Sequence, residues 1–112
     1  MKIIDSPISP GELKVMAEGR FGNLVKAVVD AERGIMAVDG ELHADEEALL
    51  LENGSRQENL WGINLYPELE GPERIEFDSV INIRPSRGNL SRGVDDPMIR
   101  ERIVQAVTEL LK

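Results

Sequence analysis

Residues 48–66 read ALLLENGSRQENLWGINLY, and the architecture turns on them. Asn53-Gly54 is a tight-turn dipeptide between two apolar runs, the strongest short-range signal for a hairpin. On that reading Ala48–Glu52 is a strand, Asn53-Gly54 turns the chain, and Glu58–Tyr66 returns until Pro67 ends it. Asp45–Leu51 has a second reading as a short helix capped by Asp45, because Glu-Glu-Ala-Leu-Leu-Leu favours helix at every position. The strand is preferred, since the aromatic strand after the turn needs a partner.

Working outward, Arg74–Arg84 reads as the last and longest strand, after the Glu70-Gly71-Pro72 loop. Alternation places Trp61, Ile63 and Leu65 on one face of the first strand. Ile75, Phe77, Ile81 and Ile83 share one face of the second, interrupted by Ser79. Those seven apolar residues are the expected core. The opposite face carries Asn64, Tyr66, Glu76, Asp78, Val80, Asn82 and Arg84, which is too polar for a second dry core. Upstream, Val25-Lys-Ala-Val-Val-Asp30 and Ile35–Val38 flank a turn at Glu32-Arg33-Gly34, with another possible turn at Asp39-Gly40.

Both ends read as helices. Ser9-Pro10-Gly11-Glu12 is a capping box with Pro at the first helical position, predicting a helix from about Pro10 to Glu18. Asp96 caps and Pro97 opens the second, where Ile99, Ile103, Ala106, Val107 and Leu110 recur at helical spacing. The expected fold is α+β in one domain spanning 1–112: N-terminal helix, antiparallel meander of about five strands, and C-terminal amphipathic helix packed on one face of the sheet.

Composition narrows the function. With 13 basic and 21 acidic residues the net charge is −8, which argues against nucleic acid or an anionic membrane as partner. No apolar run approaches a membrane span, and the start has no signal-peptide core, so a cytoplasmic location is expected. The absence of Cys excludes disulfides and thiolate chemistry, and the single His43 excludes a multi-His metal site within one chain. No phosphate-binding glycine motif is present and no cofactor is expected. Charge is uneven: residues 1–79 carry 7 basic and 17 acidic groups, residues 80–112 carry 6 and 4.

Three clusters stand out. Asn is a poor strand former, so Asn64 and Asn82 in mid-strand, with Tyr66 and Arg84 on the same face, suggest either a polar pocket or a solvated or subunit-contacting surface. The segment Arg84-Pro-Ser-Arg87-Gly-Asn89-Leu-Ser91-Arg92-Gly93 offers three guanidinium groups, hydroxyls, an amide and two glycines as an anion cradle. Its arginines equally suit pairing with the acidic surplus. Glu41, His43 and Asp45 would share a face if extended, a conceivable metal set or base, although a solvated acidic turn is the plainer reading. The candidate ligand-binding residues are therefore Arg84, Arg87, Asn89, Ser91, Arg92, Asn64, Tyr66 and Asn82, with no catalytic or metal-ligating residue assigned.

GELHADEEALLLENGSRQENLWGINLYPE, then IEFDSVINIRPSRGN and the closing amphipathic helix, resembles a prokaryotic family known only as a domain of unknown function. The resemblance runs from Ser9 to about Leu111. It implies a single small domain and brings no activity, cofactor or catalytic residue. The expected function is a non-catalytic binding or interaction domain that self-associates as a homo-oligomer, a dimer first, because an uncovered sheet face and an edge strand invite a second copy. The alternative is a protein or enzyme that binds an anionic, phosphate- or carboxylate-bearing small molecule through residues 84–93.

Overall fold

A computed structural model describes residues 1–112. Five antiparallel strands, β1 (Lys2–Ile4), β2 (Val25–Asp30), β3 (Ile35–Val38), β4 (Leu60–Leu65) and β5 (Ile75–Glu76), form one sheet in the order β1-β3-β2-β4-β5. Three helices complete the α+β fold: α1 (Pro10–Glu18), α2 (His43–Glu52) and α3 (Pro97–Leu110). The order is not a simple meander, because the β2–β3 hairpin sits inside the sheet with β1 on one side and β4 on the other.

The terminal helices start as their caps dictate. The Ser9 hydroxyl accepts from Glu12 N–H at 3.2 Å and Asp96 accepts from Met98 N–H at 2.8 Å, each followed by Pro at the first helical position. Leu13 and Ala17 of α1 and Ile103, Ala106, Val107 and Leu110 of α3 bury against one sheet face. There they meet Val25, Ala27, Val29, Trp61, Ile63 and Leu65, where Val29 opposes Trp61 and Ala27 opposes Ile63 across the ladder. Trp61, Ile63, Leu65 and Ile75 belong to this core and Phe77 packs at its margin. Ile81 lies on the other side of the sheet, and Ile83 is 43% exposed.

Two strand expectations are corrected. Residues 43–52 form helix α2, so Ala48–Glu52 is not a strand. Asn53-Gly54 acts as the helix stop: Gly54 has φ +94°, and Ser55 N–H and Gly54 N–H return to the carbonyls of Leu50 and Leu51. The same glycine preference for positive φ serves a hairpin turn and a helix terminus. The second sheet face displays Val28, Ala37 and Leu60, and Leu50 of α2 covers them, with Leu49 and Ile81 at the edge of the contact. The sheet is thus clothed on both faces over much of its area. Three-residue β1 brings the strand count back to five.

The second correction concerns Arg74–Arg84. Only Ile75 and Glu76 pair with β4. The chain then leaves the sheet and coils into a single 3₁₀ turn at Val80–Asn82, begun by the Ser79 hydroxyl accepting from Ile81 N–H. Asn82 takes the place of the missing ladder. Its Oδ1 accepts from Gly62 N–H at 2.8 Å and its Nδ2 donates to Gly62 C=O at 2.9 Å, so one side chain satisfies both backbone groups of β4 at that position. Asn82, expected in mid-strand, is thus not in a strand. Gly62 must be Gly: a Cβ there would stand 2.5 Å from Ser79 Cβ and 3.2 Å from His43 Cγ. No helix is long and apolar enough to cross a membrane.

Candidate functional site

Residues 84–93 fold on themselves. Arg84 and Asn89 form an antiparallel bridge around a tight turn at Pro85–Arg87, closed by Gly88 at φ +79°. The buried Asn89 amide is the hub. Its Nδ2 donates to the carbonyls of Asn82 (2.7 Å), Gly93 (2.9 Å) and Ser91 (3.2 Å), and its Oδ1 accepts from Asp95 N–H at 2.8 Å. Ser91 donates to Asp95 at 2.6 Å. Asn82 and Asn89 therefore spend their polar groups on backbone.

The three arginines point apart. Arg84 lies over the Trp61 ring, 4.7 Å from its centroid, donates to Ile81 C=O at 3.2 Å and to Leu60 C=O, and sits 3.6 Å from Glu47. Arg87 pairs with Glu58 at 3.0 Å, and Arg92 with Asp78 at 2.6 Å. Arg84 and Arg87 border a cleft of about 710 Å³ and another of about 300 Å³, in which carboxylates accompany them: Glu47 and Glu58 in the first, Glu58, Asp95 and Asp96 in the second. Tyr66 and Asn64 both donate to Glu76 Oε1, at 3.0 and 2.8 Å.

A third cleft, of about 490 Å³, has the composition expected of a small-molecule site: an apolar wall and a few converging polar groups. It exists because α2 covers only part of the second sheet face. Lys26 of β2 and Asn64 of β4, directly paired in the ladder, form its floor. The start of α2 makes one side with Leu42, His43 and Ala44. Asp78, Ser79 and Arg92 make the other, and Phe21, Leu24 and Val80 supply apolar surface. Of the candidate ligand-binding residues, Asn64 and Arg92 meet here, together with His43 of the acidic cluster. Tyr66, Asn82, Arg84, Arg87, Asn89 and Ser91 do not.

The chemistry centres on His43, which sequence reasoning placed in an acidic turn. Its ring is buried, and Nε2 lies 2.7 Å from Ile63 C=O. A carbonyl can only accept, so Nε2 carries the proton and a neutral ring presents its lone pair on Nδ1. Burial lowers the His43 pKa, and Lys26 and Arg92 push the same way, against the Ile63 hydrogen bond and Asp78. The imidazole is thus neutral at pH 7. Beside it, Asn64 is 8% exposed, and its amide nitrogen is held by Glu76 while Oδ1 has no partner.

The surroundings are cationic. Lys26 Nζ lies 5.5 Å from the Phe21 ring centre and makes no ion pair, and Arg92 commits only its Nε edge to Asp78. Leu42, the N-cap of the ten-residue α2, supplies no side-chain cap, so the N–H groups of His43 and Ala44, both lining the cleft, have no helical partner, while those of Asp45 and Glu46 bond to Leu42 C=O. On a protein of net charge −8 this is a locally positive site. Glu41 and Asp45 border a different cleft with Arg20, so helical geometry separates them from His43. The signal available in the sequence for this site was the solitary His at a position that a helix, but not a strand, would bury.

Fold and cleft together define a small α+β domain with a mixed polar and apolar cleft of ligand size beside the start of α2. The chain belongs to the family described as "Protein of unknown function (DUF5674)", whose model matches residues 2–110. No curated protein and no solved structure matches it.

Proposed function

We propose that this domain binds a small anionic molecule in the cleft between the start of α2 and the 78–92 segment. The observation that carries the reading is the pairing of unspent polar groups with positive charge. His43 Nδ1 and Asn64 Oδ1 lack partners inside the fold, while Lys26, the free edge of Arg92 and an uncapped helix start surround them. The ligand so described carries an oxyanion group for the cations, a hydrogen-bond donor such as a hydroxyl for Asn64, and a short apolar part for Phe21 and Leu42. Arg92 brings part of the arginine-rich segment into this role. Arg84 and Arg87 serve the packing and ion pairing of the neighbouring surface.

A thermal-shift panel of phosphate, sulfate, hydroxy acids and sugar phosphates at low salt tests this. A ligand at 100 times its dissociation constant stabilises by about 2.7 kcal/mol, which moves the midpoint of a domain this size by roughly 10 °C. The shift is expected to vanish in Lys26→Gln and Arg92→Ala proteins and to persist in Arg87→Ala. A flat panel, or a shift lost only in Arg87→Ala, overturns the assignment.

Self-association is a second, separate reading with a narrower basis than the sequence suggested, because α2 occupies much of the face a partner would have covered. What favours it is the free edge of β1, which pairs only with β3 and leaves an unpaired backbone row. Sedimentation at micromolar concentration is expected to show a dimer, and a monomer there ends this reading.

A further inference from the structure

We infer that the cleft's oxyanion is gripped by His43 in its imidazolium form, so that binding draws one proton from solvent onto Nδ1. The inference rests on the anion-binding reading above and deepens it. The argument is one of hydrogen-bond valence. Ile63 C=O at 2.7 Å can accept only an N–H, which assigns the ring's single proton to Nε2 in the empty site. Nδ1 then faces any arriving oxyanion as lone pair against lone pair. A contact between two acceptors is repulsive, and it becomes a charge-assisted hydrogen bond once one proton lies between them. A ligand that is fully ionised has none to give, so the proton comes from water or buffer.

The ring cannot evade this by flipping. A flip puts Cε1 where Nε2 stood and forfeits the Ile63 hydrogen bond, and the Nδ1–H tautomer sets the Nε2 lone pair against the same carbonyl. The charged groups around the ring make the coupling strong. Lys26 on β2 and Arg92 disfavour a third positive charge in the empty cleft, and among the charged groups only Asp78, itself tied to Arg92, opposes them. An oxyanion seated between Lys26 and Arg92 reverses that balance by placing negative charge beside the ring. Asn64 and Ser79, the other polar neighbours, are uncharged in this range. Glu46 on the same helix turns away and accepts from Gly40 N–H.

The one histidine makes the test direct, because all imidazole resonances belong to His43. Sulfate is the probe, since it stays a dianion over the range in which histidine titrates. The His43 titration is followed by ¹⁵N-resolved NMR on the full chain, in sulfate and in chloride of matched ionic strength. Without sulfate, the ring nitrogens are expected to report the Nε2–H tautomer and a midpoint below the ordinary histidine value. With saturating sulfate, the midpoint is expected to rise by at least one unit, equivalent to about tenfold tighter sulfate binding below the titration than above it. His43→Gln keeps an N–H donor for Ile63 and is expected to bind sulfate with no such pH dependence, which also separates His43 from Glu46. If sulfate shifts the amide resonances of Ala44 and Arg92 but leaves the His43 midpoint in place, proton uptake is refuted and anion binding stands. If sulfate shifts neither, both fall.

Discussion

Asn82→Ala is expected to destabilise the domain by roughly 3–5 kcal/mol, the largest single effect outside the hydrophobic core. Asn82 is 0% exposed and works as a two-sided clamp. It joins both backbone groups of Gly62 and also donates from Nδ2 to Arg92 C=O at 2.9 Å. Truncation strands the N–H and the carbonyl of Gly62 where water has little access, each costing about 1–3 kcal/mol unpaired, while Arg92 C=O keeps the N–H of Ser79. Local opening recovers part of the sum. Asn82→Asp is no rescue, because it keeps the acceptor for Gly62 N–H but turns a carboxylate oxygen toward two carbonyls. Asn64→Ala, which gives up one bond to an exposed carboxylate, is expected to cost under about 1 kcal/mol. Urea unfolding of the three variants decides the matter. Equal midpoints for Asn82→Ala and Asn64→Ala would mean that the clamp does not hold this margin of the sheet.

The second large effect is a pH dependence carried by Glu46. Its side chain is 0% exposed, with Oε2 accepting from Gly40 N–H at 3.0 Å and Oε1 buried without a partner. Burial raises its pKa from 4.5 to about 8, against the smaller opposing pull of the Gly40 hydrogen bond. The folded chain therefore holds this proton at pH 7, and the unfolded chain has released it. Between the two pKa values the native state binds more protons, so stability falls as pH rises. The contribution is complete below the unfolded value and falls by up to about 1.4 kcal/mol per pH unit, roughly 4–5 kcal/mol in all by the folded value. Glu46→Gln keeps an acceptor for Gly40 and removes the titration. It is expected to match the parent at pH 5 and exceed it clearly at pH 8, as read from urea midpoints. Parallel profiles for the two proteins would show that Glu46 is not the group responsible.

Glu46 and His43 lie three residues apart on one helix, and both were hidden by the same ambiguity. Read as an acidic turn followed by a strand, residues 43–52 place charges in water. As a helix, positions 43, 46 and 50 share the buried face. Local preference for helix was visible in Glu-Glu-Ala-Leu-Leu-Leu, but the Asn-Gly that follows terminates a helix as readily as it turns a hairpin. What chose between them was the apolar second face of the sheet at Val28, Ala37 and Leu60, which required a cover.

The candidate site was legible to a lesser degree. Asn64 and Arg92 were marked, one as an odd strand residue and one as part of an arginine cluster, and they do share a cleft. Asn82 was marked as a mid-strand residue and Asn89 as an amide of the anion cradle. Their amides complete backbone pairing where the chain leaves the sheet, a role that no pattern of side-chain types announces.

The sequence by itself determined the α+β class, both terminal helices with their caps, the β2–β3 hairpin and the Trp61–Ile63–Leu65 core face, because those depend on local capping chemistry and on periodicity within one segment. Tertiary structure alone decided the strand order, the conversion of 43–52 to helix, the early end of β5, and the meeting of Lys26, His43, Asn64 and Arg92. Each of those depends on what lies across a gap of many residues, where pairing and burial energies decide between local alternatives.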